Sequence, residues 1–197
     1  MDWKAHHNLL KKQGEVYYFP NFLKVSEADK YLAQLTQDVP WKQEPIKIFG
    51  KLILQPRLIA WYGDPEAAYK YSGHQLTPLP WPTFLKKLKS KVETFSEASF
   101  NGALLNLYRD QNDSMGWHRD NEKELGKEPF IASLSFGEKR KFKLQNIHDK
   151  DLKLSIELEH GSLLIMKGKT QQFWKHSIPK QSKPVAARVN ITLRRIF

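Results

Sequence analysis

The stretch Arg188-Val189-Asn190-Ile191-Thr192-Leu193-Arg194 decides how this chain folds. It alternates, polar at 188, 190, 192 and 194 and apolar at 189, 191 and 193. An extended backbone sends successive side chains to opposite faces, so the pattern specifies one strand with an apolar and a polar face. Two arginines on the polar face are costly to bury unless they meet anions; the other reading is an edge strand whose polar face lies in water. Outward from it, 102–109, 130–136, 140–146, 152–158 and 162–166 are short β-type runs separated by turns, and the last strand itself spans 185–196. Many short strands without intervening helices argue for a sandwich or barrel, not a parallel sheet with crossovers.

The first half reads differently. Residues 1–20 close on an approach strand, Tyr17-Tyr18-Phe19-Pro20. Ser26-Glu27-Ala28-Asp29 resembles a helix start capped by Ser26, with Leu32 and Leu35 on its apolar face and Pro40-Trp41 ending it. Residues 42–62 suggest strands, and 63–82, rich in Pro, Gly, Tyr and Ser, a structured loop. Phe84, Leu85, Leu88, Val92 and Phe95 recur at helical spacing with lysines between them, which predicts a second amphipathic helix over 83–95. The expected fold class is therefore mainly β with flanking helices (α+β). At 197 residues the chain can bury a sizeable core but is short for two full domains, so one domain over 1–197 is expected, with 1–99 as an N-terminal extension and 100–197 as the β core.

Composition narrows the chemistry. With no cysteine, disulfides and thiolate metal sites are excluded, and His, Asp and Glu remain as ligands. No apolar stretch approaches the roughly 18 residues of a membrane span, and the N-terminus shows no basic stretch followed by an apolar run, so a cytoplasmic monomer is expected. The net charge of +11, from 32 Lys and Arg against 21 Asp and Glu, makes an anionic partner plausible without bearing on the fold.

Within Trp117-His118-Arg119-Asp120-Asn121-Glu122, residues two apart on an extended backbone share a face, so His118 and Asp120 can meet one ion. Such a triplet is common by chance. It gains weight from a further histidine, His176, in Trp174-Lys175-His176-Ser177-Ile178-Pro179. Two histidines and a carboxylate on one face of an octahedron leave three positions open, as non-haem iron(II) requires to bind a co-substrate and dioxygen together. Catalytic zinc can use the same set. His6, His7, His74, His148 and His160 sit in ordinary settings, His160-Gly161 reading as a turn. The polar face of 188–194 favours iron: its arginines want an anion, 2-oxoglutarate carries two carboxylates, and Arg grips a carboxylate bidentately. Asn106 and Tyr108, two apart, share a face in the same way.

These motifs closely resemble the AlkB family of nucleic-acid demethylases. Asn-Leu-Tyr at 106–108, His-Arg-Asp-Asn-Glu at 118–122, Ile-Ala-Ser-Leu-Ser-Phe-Gly at 131–137, His-Gly-Ser-Leu-Leu-Ile-Met at 160–166, His176 and Arg-Val-Asn-Ile-Thr-Leu-Arg at 188–194 come in the family's order, and the match extends upstream through Gln55-Pro56-Arg57 to Ser72-Gly73. The resemblance implies a double-stranded β-helix (jelly roll) whose N-terminal extension forms a nucleotide-recognition lid. It implies His118, Asp120 and His176 as Fe(II) ligands, and Asn106, Tyr108, Arg188, Asn190, Thr192 and Arg194 as the lining of a 2-oxoglutarate pocket. An enzyme that acts on a base must flip it out or begin with a single strand. The resemblance makes Tyr69 and Tyr71 lid aromatics, with Tyr69 stacking on the base together with His118, and makes Glu122 the acidic residue that meets the exocyclic nitrogen. Phe49, in Ile48-Phe49-Gly50-Lys51, resembles the aromatic finger of duplex-acting members; with Ile46, Ile48 and Leu52 nearby it could equally be a core residue. Arg57, Arg119 and the lysines at 139–143 are candidate phosphate contacts. The implied reaction removes N-methyl groups, as from 1-methyladenine and 3-methylcytosine, as formaldehyde, while 2-oxoglutarate and dioxygen are consumed to give succinate and carbon dioxide. The implied partner is methylated DNA, single- or double-stranded, or RNA. Two other readings are a same-fold hydroxylase of a protein or small molecule, expected to lack the basic surface and the lid aromatics, and a metal-free nucleic-acid-binding module.

Overall fold

In the computed structural model, which describes residues 3–48, 51–67, 69–71 and 74–197, the chain forms strands β1 (Glu15–Phe19), β2 (Pro45–Ile48), β3 (Lys51–Leu54), β4 (Leu58–Gly63), β5 (Tyr69–Tyr71), β6 (His74–Leu76), β7 (Gly102–Tyr108), β8 (Met115–His118), β9 (Ile131–Gly137), β10 (Arg140–Asn146), β11 (Lys153–Leu158), β12 (Ser162–Lys167), β13 (Trp174–Ile178) and β14 (Arg188–Arg194), with helices α1 (Val25–Asp38), α2 (Thr83–Ser96) and α3 (Thr170–Phe173). From β7 onward the chain shuttles between two antiparallel sheets. The major sheet runs β1-β12-β9-β14-β7-β4 and the minor sheet β11-β10-β13-β8. This interleaving, in which no two of β7, β9, β12 and β14 are adjacent in the chain yet all share one sheet, is the jelly roll. The first half is not a separate layer: β1 and β4 extend the major sheet at its two ends, by pairing with β12 and β7.

Period-two alternation assigns each major-sheet side chain to one of two compartments. Ala103, Leu105 and Leu107 of β7, Ala132, Leu134 and Phe136 of β9, Leu163 and Ile165 of β12, and Val189, Ile191 and Leu193 of β14 join one apolar cluster with Ala28 and Leu35 of α1 and Leu85, Leu88 and Val92 of α2. The helices therefore cover the outer face of this sheet, and each fully buried Leu or Ile there contributes roughly 1.5–3 kcal/mol by leaving water. The opposite face turns toward the minor sheet. Val16, Tyr108, Ile131, Leu164 and Met166 meet Phe142, Leu144, Ile156, Leu158, Trp174 and Ile178 in a second cluster, which closes one part of the space between the sheets and leaves the rest to polar side chains.

Several expectations need correction. Strand β14 is central, flanked by β9 and β7, and is buried on both faces, so the edge-strand alternative falls. Ser26 does not cap α1: the helix begins at Val25, and the Lys24 carbonyl accepts the Glu27 and Ala28 N–H groups with no side-chain cap. That helix end is exposed, so water can satisfy the remaining donors. The loop over 63–82 contains a short hairpin, β5–β6. The C-terminal half is not purely β, since α3 and a 3-10 turn at Lys123–Leu125 interrupt it. Phe49 lies outside the described residues. No helix of the described residues is long and apolar enough to cross a membrane.

Candidate active site

Because β14 sends its apolar residues to the helices, Arg188, Asn190, Thr192 and Arg194 must face the space between the sheets, and all four are buried. Strand register sets their neighbours. Arg188 lies opposite Tyr108 on β7, and Asn190 opposite Asn106. On the other side Asn190 lies opposite Ser135 and Thr192 opposite Ser133 of β9. Asn190 Nδ2 donates to Ser133 Oγ (2.8 Å) and to the Leu134 carbonyl (2.9 Å), and its Oδ1 accepts from Thr192 Oγ1 at 3.0 Å. Asn106 Oδ1 in turn accepts from Arg57 Nε at 2.8 Å.

Arg188 differs from Asn190 and Thr192, whose side-chain polar atoms are met. One Nη donates to Ser135 Oγ at 2.9 Å, while Nε and the other Nη, both fully buried, have no acceptor. Its guanidinium stands 5.3 Å from the centre of the Tyr108 ring, with Arg140 5.5 Å from the same ring. Burial pushes the Arg188 pKa down to about 10, against the pull of Tyr108, which leaves it charged at neutral pH. A buried cation with two unused donor nitrogens is costly unless an anion completes it.

At the other end of the interior, β8 pairs with β13 so that His118 lies opposite His176. Their rings are 4.1 Å apart, and Asp120, two residues past the end of β8, brings Oδ1 and Oδ2 to 3.9 Å from the Nε2 atoms of His118 and His176 respectively. One donor atom from each of the three residues falls within 4.8 Å of the other two. The carboxylate is fixed from two directions: Arg194 Nη2 donates to Oδ1 at 2.8 Å, and the Asp120 backbone N–H is held by Gln171 Oε1 from α3 at 3.0 Å. His118 Nδ1 lies 2.9 Å from the Gly116 carbonyl, an acceptor, so Nδ1 carries the proton and Nε2 keeps its lone pair toward Asp120.

Electrostatics put all three groups in the ligating protonation state. Burial lowers the His118 pKa. Burial, followed by the neighbouring His118 and Arg194, pushes His176 down to about 3, against the pull of Asp120. Burial would raise the Asp120 pKa, but the charge of Arg194 above all, then the neighbouring His176 and His118 and the Arg194 hydrogen bond, outweigh it and hold the carboxyl below its ordinary range. Two neutral imidazoles and one carboxylate are the donors a non-haem iron(II) centre uses, and the unused Arg188 donors across the same interior suit a carboxylate of an anionic co-substrate. On these grounds the residues present fit both groups.

The remaining candidates are dispersed. Arg57 is 4% exposed and donates to Asn106 and to the Ser114 carbonyl, so it supports the pocket wall; burial removes it from the phosphate contacts. Arg119 Nη1 donates to the Gln172 carbonyl at the rim. Glu122 lines a neighbouring cleft of about 620 Å³ with Arg119, Lys123, Lys127 and Gln171, where one carboxyl oxygen is buried without a donor. Tyr69 and Tyr71 lie on β5, in the hairpin with β6. Sequence reading missed Ser133, Ser135 and Gln171. The serines carry the same alternation in Ala132-Ser133-Leu134-Ser135-Phe136 that marked β14, so that signal was available; Gln171 has none, because it comes from a four-residue helix 51 positions from the ligand it holds.

Comparison with known proteins gives a concordant result. A family model described as the 2OG-Fe(II) oxygenase superfamily matches residues 15–194. The human alpha-ketoglutarate-dependent dioxygenase alkB homolog 3 is 42% identical over 193 residues, covering 93% of this chain and 67% of that protein. The mouse DNA oxidative demethylase ALKBH2 is 37% identical over 206 residues, covering 100% of this chain and 84% of that protein. The solved structure of OsALKBH1 superposes with a TM-score of 0.64 at 20% identity, covering 91% of this chain and 97% of that one, which supports the fold. The chain thus spans about two thirds or more of the length of these two curated relatives.

Proposed function

The chain belongs to the AlkB family of the 2OG-Fe(II) oxygenase superfamily, and from that membership we propose that it removes N-methyl groups from nucleic-acid bases by oxidation. The single observation that carries the reading is the pairing, in one interior, of the His118, Asp120 and His176 donor set with the two unused donor nitrogens of Arg188. His118, Asp120 and His176 hold iron(II); Asn106, Tyr108, Arg188, Asn190, Thr192 and Arg194 hold 2-oxoglutarate. The arginines divide the labour by position. Arg194 touches the ligand Asp120 and so stands at the metal end, where it fixes the carboxylate. Arg188, six residues away along the same strand beside Tyr108 and Ser135, takes the far carboxylate of the co-substrate.

When bound, iron(II) with 2-oxoglutarate and dioxygen supplies a hydroxylation: the co-substrate leaves as succinate and carbon dioxide, and the second oxygen atom enters a methyl C–H bond. The hydroxymethyl amine then breaks its C–N bond, the hydroxyl proton is lost as formaldehyde forms, and the nitrogen keeps the electron pair. The protein's own part is to exclude water between the sheets, to keep both imidazoles neutral and to hold the base. Glu122 presents a buried carboxyl oxygen without a donor, which suits the amino group of a cationic 1-methyladenine or 3-methylcytosine. Tyr69 and Tyr71, and Phe49 in duplex substrates, are assigned the stacking roles. Residues 1–99 act as the extension that carries this lid and 100–197 as the catalytic core. The substrate is methylated DNA, single- or double-stranded, with RNA as a further one, acted on by a cytoplasmic monomer.

The test incubates purified protein with iron(II), ascorbate, 2-oxoglutarate and a 1-methyladenine oligonucleotide and follows formaldehyde. Turnover is expected, and Asp120→Ala should abolish it without unfolding the chain. Absence of turnover on both single and double strands, with iron shown to be bound, would overturn the reading.

A further inference from the structure

The minor sheet has a second face that the proposed reaction does not use. His118 and His176 point inward, so the alternation turns Trp117 and Lys175 outward, and Lys175 Nζ sits 5.2 Å from the centre of the Trp117 ring. Trp117 is 47% exposed, on the edge strand next to the residue His118. Beyond it the same face carries Lys141 and Lys143 of β10 and Lys153 of β11, all exposed. Lys143 lies between Ser155 and Ser177, and Gln145 between Lys153 and Lys175. The acidic residue in this array, Glu157, lies opposite Lys141 and is paired with Lys139 at 3.2 Å. The lysines stand opposite Ser155, Ser177, Gln145 and Glu157 and not opposite one another, so the face keeps a positive charge at little cost, and a half-exposed indole adds apolar surface in water.

We infer that this face is an exosite for the single-stranded nucleic acid flanking the target base, one unpaired base stacking on Trp117 and its phosphates running over Lys175, Lys143, Lys141 and Lys153. Charge complementarity selects the occupant: a lysine row bordered by an aromatic is how sequence-tolerant single-strand sites are built. A stacking partner must be an unpaired base, because in a duplex both of its faces are already covered. Strand β8 is the sheet edge, so a chain leaving the pocket mouth at His118 reaches the outer face without crossing another strand. The identity of the bound strand as substrate rests on the demethylase reading, but the site itself does not.

The experiment measures binding of an unmethylated single-stranded 15-mer by fluorescence anisotropy across a salt series, beside turnover of a methylated trinucleotide. Trp117→Ala should weaken 15-mer binding about 5- to 150-fold, Trp117→Phe should recover most of it, and a matching duplex should respond less. Lys141→Gln with Lys143→Gln should lower the steepness of log K against log salt by about 1.4, two contacts at roughly 0.7 each. Trinucleotide turnover should stay unchanged in both Trp117 variants. Unaltered 15-mer affinity in both Trp117→Ala and the double lysine variant would overturn the exosite while leaving the demethylase reading intact. Trp117-dependent binding in a protein that never turns over would do the reverse.

Discussion

Arg188 shows how one residue can report a missing partner. Its buried charge has one acceptor and two idle donors, and an uncompensated buried charge is often replaced by an apolar residue of similar volume without loss. Arg188→Met should therefore hold or raise the melting temperature of the co-substrate-free protein. It should also abolish stabilisation by 2-oxoglutarate, which in the wild type is about 2.7 kcal/mol at a hundredfold excess over Kd. Calorimetry with and without the co-substrate decides it, and an equal rise in both proteins would sink the assignment. Asp113 illustrates the opposite case, a buried charge fully met. Burial would raise its pKa, but hydrogen bonds from the Arg109 side chain and backbone N–H, with the charges of Arg109 and Arg140, hold it below the ordinary range. A depressed carboxyl contributes stability above its unfolded pKa near 3.9, and that contribution is lost as pH falls through the folded value. Asp113→Asn should cost about 1–3 kcal/mol at neutral pH, and urea titrations should show the gap from wild type closing as pH drops below about 4.

At the scale of elements, the joint between β9 and β14 depends on a glycine. Gly137 ends β9 with φ +83°, and a Cβ there would lie 2.4 Å from the Ala187 carbonyl oxygen. Gly137→Ala combines a disfavoured backbone with a clash against main chain that cannot step aside, so a loss of about 1–3 kcal/mol is expected from the backbone alone. Thermal melts measure it, and an unchanged midpoint would show that the turn relaxes. The strand this joint serves was the most legible in the sequence, because β14 separates an apolar helix-facing row from a polar interior row without exception. Strand β13 was harder to read: Lys175, His176 and Ser177 are polar on both faces, since the candidate ligand His176 occupies an inward position, and the register shifts between His176 and Ile178. The three-residue strands β5 and β6 are too short to show a period at all. The His118, Asp120 and His176 donor set was legible from its chemistry and the polar row of β14 from its alternation. Burial of Arg57 was not legible, because a lone arginine after Gln55-Pro56 carries no sign of which side of β4 it will join.

Across the whole molecule, the major sheet acts as a partition. Leu134 packs among the helices on one side, while its neighbours Ser133 and Ser135 hold Asn190 and Arg188 on the other. Hydrogen bonding to β12 and β14 on both sides fixes the β9 backbone between them, so the two faces can be perturbed separately. Close packing makes a cavity on the helix side expensive: Leu134→Ala should cost about 2–5 kcal/mol. For a chain of this size that lowers the melting temperature by roughly 4–20 °C, at about 2–4 °C per kcal/mol. If the sheet is a rigid partition, the serines stay in place and the KM for 2-oxoglutarate, measured well below the new midpoint, stays at the wild-type value. If instead the cavity draws the strand toward the helices, Ser133 and Ser135 move with it and that KM rises in step with the lost stability, which would make the helix layer part of the co-substrate site.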